Sequence, residues 1–258
     1  MPNTVQPDVT ANAHVAADEF RLLAHLHAAG LSVPKPVAYD GAVTGAASAI
    51  VLERLAGAST PAPAWPSRAA RQVAAFLVRL HALADVPAFL PDAAARVSMR
   101  QAEPQHTLTP PSAKARFDHA APQRRGWPLP SQHAPVLLHG DFWPGNVLWQ
   151  DGRLTGVIDW EGAEARGDPL ADVANAHTWS FCGRGDPRPW RRSRSTTWQP
   201  LRSTQTHLPY WDLCAALRPA GKLSSWGLDA ATARTMRDQH RWFVTQALAK
   251  LNKPAQHA

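Results

Sequence analysis

The chain has 258 residues, of which 45% are hydrophobic and 18% are charged, so it can bury a core and is not a wholly disordered chain. No stretch reaches the roughly 18 apolar residues of a membrane span, and two cysteines, Cys182 and Cys214, are too few for a disulfide scaffold or a four-cysteine zinc site. The net charge of +7, concentrated after His177, favours encounters with phosphate-bearing molecules.

The first third of the chain predicts a helix, a hairpin and a second helix. Leucines at helical spacing predict a helix over 18–29, which ends at Gly30. Apolar runs at 37–39 and 48–52 predict two strands joined by a glycine-containing turn. A second apolar stripe predicts a helix over 67–81.

Nine prolines between 85 and 135 exclude a long helix there, so we expect 86–130 to be irregular. Regular structure resumes with a buried strand at 136–138. Two further apolar runs, 146–150 and 153–158, flank Asp151-Gly152, and this dipeptide is a strong hairpin signal.

The last part of the chain predicts helices separated by an irregular segment. The helices cover 168–179, 211–217 and 229–251, and Asp229 is placed to cap the last one. The segment 182–207 has no apolar period, so we expect it to be irregular.

The chemistry of the sequence is concentrated between 139 and 159. With the turn centred on Asp151-Gly152, position 146 faces about 157, which brings Asp159 opposite the loop that contains Asp141 and Asn146. Mg²⁺ prefers hard oxygen ligands and usually takes one or two carboxylates plus substrate phosphates. A separate carboxylate can accept a hydroxyl proton. The arrangement therefore predicts a phosphoryl-transfer site.

The segments LLHGDFWPGNVL, GVIDWEGA and GDPLADVA strongly resemble the aminoglycoside phosphotransferase and choline kinase-like family. These are small-molecule kinases, and the resemblance implies an α+β, protein-kinase-like fold with two lobes. The small nucleotide-binding lobe would correspond to 1–56. The large catalytic lobe would correspond to 57–258 and would be mainly helical, with a catalytic hairpin.

The resemblance also implies a role for each matching site residue. Asp141 would be the catalytic base that deprotonates the acceptor hydroxyl. Asn146 and Asp159 would hold Mg²⁺ on the phosphates of ATP. His139 would brace the loop, and Asp172 would hydrogen-bond its backbone.

On the nucleotide side, the resemblance implies that the backbone of Glu53, Arg54 and Leu55 is the hinge that meets adenine. Glu19 would pair with a lysine that holds a phosphate. The 18 residues before Glu19 contain no lysine and no glycine, so we expect the small lobe to be incomplete, and an impaired kinase activity stays open. The arginine-rich segment 183–201 also departs from the amphipathic helix that the family leads us to expect.

Three functions remain open at this point. The first is an ATP- and Mg²⁺-dependent phosphotransferase that acts on a small hydroxylated molecule, namely an aminoglycoside, an amino alcohol or a sugar. The second is an inactive family relative that serves as a binding module. The third is a basic protein that binds nucleic acid, which we disfavour because the arginine run lacks periodic aromatics. The low cysteine content and the absence of a signal-like start predict a cytoplasmic protein.

Overall fold

The computed structural model describes residues 9–41, 48–59, 66–92, 133–178, 207–217, 227 and 229–251. Its helices are α1 (Val9–Ala28), α2 (Pro66–His81), α3 (Leu170–His177), α4 (Leu208–Leu217) and α5 (Ala230–Leu251). Its strands are β1 (Pro36–Asp40), β2 (Ala49–Leu52), β3 (Val136–Leu138), β4 (Val147–Gln150), β5 (Arg153–Val157) and β6 (Glu164–Gly167). In this part of the chain the strands form three antiparallel pairs, β1–β2, β3–β6 and β4–β5.

The predicted helices and hairpins are confirmed, although α3 begins at Leu170 rather than at 168 and α4 at Leu208 rather than at 211. Two further differences are larger. Helix α1 begins at Val9 rather than at Asp18, because the preceding residues are rich in alanine and lack proline, and so favour a helix without an apolar period. Strand β6 was not predicted, because Glu164–Gly167 has no alternating pattern. It forms by pairing with β3, where Leu138 lies opposite Glu164.

The main hydrophobic core lies between α1, α2, α3 and the strands that α2 contacts. The side chains of α1 and α2 that face it share helical spacing and are buried almost completely: Leu22, Leu23, Leu26, Val73, Leu77 and Leu80. Helix α2 contacts β3, β5 and α3, so it supports the segments before and after the predicted site. Burial of these apolar side chains contributes most of the free energy that holds these helices and strands together.

A second hydrophobic cluster joins α4 to α5. Tyr210 and Leu213 of α4 pack there against Phe243, Val244 and Ala247 of α5. The predicted cap of α5 is confirmed, because Asp229 Oδ1 accepts hydrogen bonds from the backbone N–H groups of Ala231 and Thr232, both at 3.0 Å.

The β4–β5 hairpin has a bulge that shifts its register from the predicted one. Gln150 lies opposite Arg153 and Trp149 opposite Leu154, but Leu148 lies opposite Gly156, so Thr155 is an extra residue. As a result Asn146 faces 158 rather than 157: its carbonyl oxygen accepts a hydrogen bond from the N–H of Ile158 at 2.9 Å. The shift brings Asp159 one residue nearer to Asn146 than the sequence predicts.

The two segments predicted to be irregular are described only at their edges. Residues 86–92 form turns and coil, and Asp92 makes a bridge to Ala165. Residues 93–130 and 182–206, with Cys182 and the arginine run, lie outside the described residues. Within the described helices, none combines the length and apolar character needed to cross a bilayer.

Candidate active site

Asp172 on α3 anchors the loop 139–146. Its carboxylate is fully buried and accepts hydrogen bonds from the backbone N–H of His139 at 2.9 Å and of Gly140 at 3.0 Å. Nε2 of His81, at the end of α2, lies 3.1 Å from Oδ2 of the same carboxylate. One carboxylate therefore joins the start of the loop to two helices.

The surroundings of Asp172 decide its protonation. Burial alone would raise its pKa, but the hydrogen bond from His81, the positive charge that His81 and His139 can carry and the backbone N–H of His139 together hold the pKa below its ordinary value of 3.8. Asp172 is therefore an ionised acceptor for the loop across the neutral pH range.

His139 links the loop to the strand that precedes Asp159. Nδ1 of His139 accepts a hydrogen bond from the N–H of Asp141 at 3.2 Å, so Nε2 carries the proton that it donates to the carbonyl oxygen of Ile158 at 3.0 Å. Burial lowers the pKa of His139, against the opposing charge of Asp172, which favours this neutral form. Phe142 and Trp160 pack on the ring.

The loop is also closed on itself. The side-chain amide of Asn146 donates from Nδ2 to the carbonyl oxygen of Asp141 at 3.0 Å, and the N–H of Trp143 donates to the same carbonyl at 2.9 Å. Asn146 is buried, whereas Asp141 is half-exposed. The Asp141 carboxylate is thus carried on a fixed backbone and remains accessible to a small molecule.

Asp159 directly follows Ile158, whose N–H is bonded to Asn146, so these two predicted metal ligands lie at the same end of the β4–β5 hairpin. Asp159 is exposed and has a φ of +66°, which is unusual for a residue other than glycine. Asp151 in the hairpin turn and Arg166 in β6 share a positive φ, so the conformation places the Asp159 carboxylate without by itself marking a site.

Gly140 allows the loop to approach the segment after Asp159. It has a φ of +75°, and a Cβ at this position would lie 1.9 Å from the carbonyl oxygen of Gly162. A Cβ on Gly162 would in turn lie 3.4 Å from Cβ of Asp141. The two segments can meet this closely only because Gly140 has no side chain.

Glu19 of α1 reaches the same region. Burial raises the pKa of Glu19, against the hydrogen bond that its carboxylate accepts from the N–H of Trp160, and the charges of Glu161 and Asp159 raise the pKa further. Within the described residues Glu19 makes no ion pair with a lysine or arginine. In the structure Glu19 contacts the segment that contains Asp159, whereas the resemblance implies a lysine as its partner.

The predicted hinge lies beside the β4–β5 hairpin. The N–H of Glu53 donates to the carbonyl oxygen of Lys35 at 2.8 Å. Leu55 packs on Gly156, where a Cβ would lie 2.2 Å from its Cδ1 atom. Among the described residues none hydrogen-bonds the backbone of Arg54 or Leu55.

Comparison with known proteins supports the resemblance. Residues 6–203 match the family model described as "Phosphotransferase enzyme family", also named APH. The chain belongs to this family.

Two curated relatives show how far the phosphotransferase similarity extends along the sequence. The chain is 33% identical over 151 residues to a homoserine kinase of Mesorhizobium japonicum, and the aligned region covers 54% of this chain and 45% of the relative. It is 44% identical over 54 residues to a hygromycin-B 4-O-kinase of Escherichia coli, which covers 21% of this chain and 13% of the relative. The chain thus spans less than half of the length of either relative.

A solved phosphotransferase shows the fold. A thermostable mutant of aminoglycoside phosphotransferase APH(4)-Ia, in a ternary complex with AMP-PNP and hygromycin B, superimposes with a TM-score of 0.61 at 20% identity, over 94% of this chain and 84% of that chain. The predicted kinase-like α+β fold is therefore confirmed.

The residues of the candidate site fit a magnesium ion that arrives with a nucleotide. Nδ2 of Asn146 is committed to the carbonyl of Asp141, which leaves Oδ1 as the amide atom that can face a cation, and Asp159 adds an exposed carboxylate. In the described part of the chain no group of three or more His, Cys, Asp or Glu side chains is arranged to hold a metal. One amide and one carboxylate suit Mg²⁺ when phosphate oxygens complete its ligands.

Sequence reasoning missed several supports of the site. Nδ2 of Asn175 donates to the carbonyl oxygen of Gly140 at 3.2 Å, and helical spacing from Asp172 could have indicated this position. His81 of α2 also bonds Asp172, and the apolar period of that helix gives no signal for this contact. Glu164 is buried at 3% exposure in β6, which pairs with β3.

Proposed function

We propose that the chain is an ATP- and Mg²⁺-dependent kinase that transfers a phosphoryl group to a hydroxyl group of a small molecule. The observation that carries this proposal is the junction of the 139–146 loop with the end of the β4–β5 hairpin. There the Ile158–Asn146 hydrogen bond and the Asp172 carboxylate hold Asp141, Asn146 and Asp159 in one place.

In this proposal Asp141 is the catalytic base. Its half-exposed carboxylate would orient the acceptor hydroxyl and take its proton as the oxygen attacks the γ-phosphorus, while the bond to the leaving ADP oxygen breaks. Asn146 and Asp159 would hold Mg²⁺, which when bound neutralises phosphate charge. His139 and Asp172 would keep the Asp141 backbone fixed, and fixed geometry is most of what this chemistry requires.

The nucleotide would bind between the segment that ends at residue 56 and the remainder of the chain, as a small and a large lobe. The hinge would be the backbone of Glu53, Arg54 and Leu55, since the backbone groups of Arg54 and Leu55 have no hydrogen-bond partner among the described residues and suit an adenine edge. The Glu19 carboxylate would help to hold the segment that contains Asp159, because it accepts a hydrogen bond from the N–H of Trp160. The solved complexes of a similar protein with ADP and with AMP-PNP support a nucleotide site in this fold.

The acceptor would be an aminoglycoside, an amino alcohol or a sugar. One relative is a hygromycin-B 4-O-kinase and another is a homoserine kinase. Both of these compounds carry hydroxyl groups and amino groups. The acid-poor sequence after His177 argues mildly against a polycationic aminoglycoside. A cytoplasmic location follows from the same proposal and from the low cysteine content.

The rival is an inactive relative that binds a small molecule without phosphorylating it. The observation that favours it is the position of Glu19, which contacts the Asp159 segment and has no lysine or arginine partner within the described residues. A missing phosphate contact can lower the rate by several orders of magnitude.

Nucleotide binding is tested first, by thermal unfolding of wild type and Asp159→Ala with and without ATP, each with and without Mg²⁺. At about 100 times the dissociation constant a ligand stabilises the fold by roughly 2.7 kcal/mol. We expect a Mg²⁺-dependent shift in wild type that Asp159→Ala loses. No shift in folded wild type would favour the rival.

Turnover is tested next with a panel of hydroxylated acceptors and Asp141→Ala. We expect phosphate transfer by wild type, loss of turnover by about 10²-fold or more in the variant and an unchanged nucleotide shift. Equal turnover by Asp141→Ala would refute the role of Asp141 as the base.

A further inference from the structure

We propose that Gln72 of α2 is a positioning residue that sets the orientation of the β4–β5 hairpin and, through it, the relative position of Asn146 and Asp159. This proposal rests on the proposed function, in which these two side chains hold Mg²⁺ with the nucleotide. Gln72 belongs to neither the 139–146 loop nor the predicted hinge, and the sequence assigns it no role.

The half-buried side chain of Gln72 makes two hydrogen bonds to the turn end of the hairpin. Nε2 donates to the carbonyl oxygen of Gly152 at 2.9 Å, and Oε1 accepts from the N–H of Leu154 at 3.0 Å. The amide thus offers a donor and an acceptor together, as a neighbouring backbone strand would. Both atoms of the amide are used, so its orientation is fixed.

Gln72 supports the hairpin at its turn. A two-stranded hairpin is marginally stable on its own, and here the strands are held by further contacts. Trp149 of β4 exchanges two backbone hydrogen bonds with Ala58, both at 3.0 Å, while on β5 Oγ1 of Thr155 donates to the carbonyl of Ala56 and the N–H of Val157 donates to the carbonyl of Ser32. These contacts hold the strands, whereas the Gln72 bonds hold residues 152 and 154 beside the turn. Among the described residues no other side chain hydrogen-bonds the backbone of 150–154.

The distance between the turn and the site makes orientation matter. Four residues of strand separate them, which at about 3.3 Å per residue is roughly 13 Å. A tilt of about 5° at the turn would then move Asn146 and Asp159 by about 1 Å, and a displacement of that size can cost on the order of 10²-fold in rate. The bonds of Gln72 oppose this tilt from a helix that is itself packed in the main core.

The test compares Gln72→Met, which keeps the length of the side chain and loses both hydrogen bonds, with Gln72→Glu, which cannot donate to Gly152. The control is Val244→Ala, which lowers stability in the α4–α5 cluster, away from the hairpin. Calorimetry with ATP, with and without Mg²⁺, measures the affinity of each variant. Steady-state kinetics with the best acceptor of the panel separates kcat from the KM values.

We expect both Gln72 variants to weaken Mg²⁺-dependent ATP binding by roughly fivefold or more, to raise the KM for Mg²⁺–ATP and to leave the KM of the acceptor unchanged. Val244→Ala should lose stability without a change in this affinity. The proposal is overturned if folded Gln72→Met binds Mg²⁺–ATP like wild type, or if Val244→Ala weakens binding equally.

Hydrogen exchange separates this proposal from the proposed function. Gln72→Met should speed the exchange of amides in 147–157 relative to Val244→Ala, with no nucleotide present. If wild type binds no nucleotide but the amides in 147–157 exchange faster in Gln72→Met, the proposed function fails and Gln72 still orients the hairpin. If the exchange is unchanged, the role of Gln72 fails independently.

Discussion

Two backbone N–H groups at the start of the 139–146 loop end on a single buried carboxylate, that of Asp172. The next peptide is fixed as well, because the N–H of Asp141 donates to the ring of His139. At the scale of single residues, the position of Asp141 is therefore set by neighbours that need not touch a substrate. Groups of this kind pre-organise a site before any ligand arrives.

Substitution of Gly140 tests the close approach of the two site segments. Gly140→Ala should cost roughly 2–5 kcal/mol of unfolding free energy, since it combines a disfavoured positive φ with a clash at 1.9 Å against the carbonyl of Gly162. Gly30→Ala is the matched control, because Gly30 has a φ of +74° but its Cβ would meet only a side-chain atom at 3.5 Å. Urea unfolding measures both, and equal losses would show that the contact with Gly162 is unimportant.

At the scale of elements, the β4–β5 hairpin shows what the sequence can and cannot predict. The Asp-Gly turn between apolar runs predicts the hairpin, because turn chemistry and apolar pattern are local properties. The bulge at Thr155 depends on contacts with Ala56 and Leu55, almost a hundred positions away, which a local pattern does not contain. Strand β6 was missed for the same reason, since only its pairing with β3 makes it a strand.

The candidate site shows the same contrast between what a local sequence pattern predicts and what only long-range contacts reveal. The hairpin register predicts that Asp141, Asn146 and Asp159 converge, and a family resemblance adds two more residues, His139 and Asp172. The structure brings all five together in one region. Their chemical roles stay predictions. Gln72 was not identified, because a single amide on a helix gives no signal until its partner is known.

The contact between α4 and α5 predicts a dependence on pH. His240 of α5 donates from Nε2 to the carbonyl of Ala216 at 2.8 Å, and burial lowers its pKa below the ordinary 6.5, against this hydrogen bond. As pH falls below 6.5 the unfolded chain therefore binds a proton that the folded chain does not, and stability falls. His139 contributes with the same sign, whereas Asp172 matters only below its ordinary 3.8.

We expect His240→Gln, whose amide can still donate to Ala216, to lose stability less steeply than wild type as pH falls below 6.5. Urea midpoints measured at a series of pH values give the two slopes. Parallel slopes would mean that His240 has the same proton affinity in the folded and unfolded chains.

At the scale of the whole molecule, the described residues pack into two hydrophobic clusters, one around α1, α2 and the hairpin strands and one between α4 and α5. Trp211 packs against both. A region with its own cluster can open separately from the remainder of a protein. The candidate site belongs to the first cluster, since Phe142, Val147 and Val157 are part of it.

Phe243→Ala should therefore act on one region. It removes a buried side chain at a cost of about 3–5 kcal/mol, and it should speed hydrogen exchange in α4 and α5 while exchange in 136–160 changes little. Mass-spectrometric exchange of peptides from both regions measures this. A uniform increase across both would show that the two clusters unfold as one cooperative unit.

The bulge at Thr155 also determines which single-residue deletions β5 can accommodate. Thr155 has no residue opposite it, so a deletion at 155 leaves every cross-strand pair between β4 and β5 in place. A deletion of Gly156, one position later, would instead bring Thr155 opposite Leu148, where any Cβ lies 2.2 Å from Leu55. The two deletions give strands of equal length and keep Asp159 in the same register with Asn146, yet only the first leaves room for Leu55 beside the residue opposite Leu148.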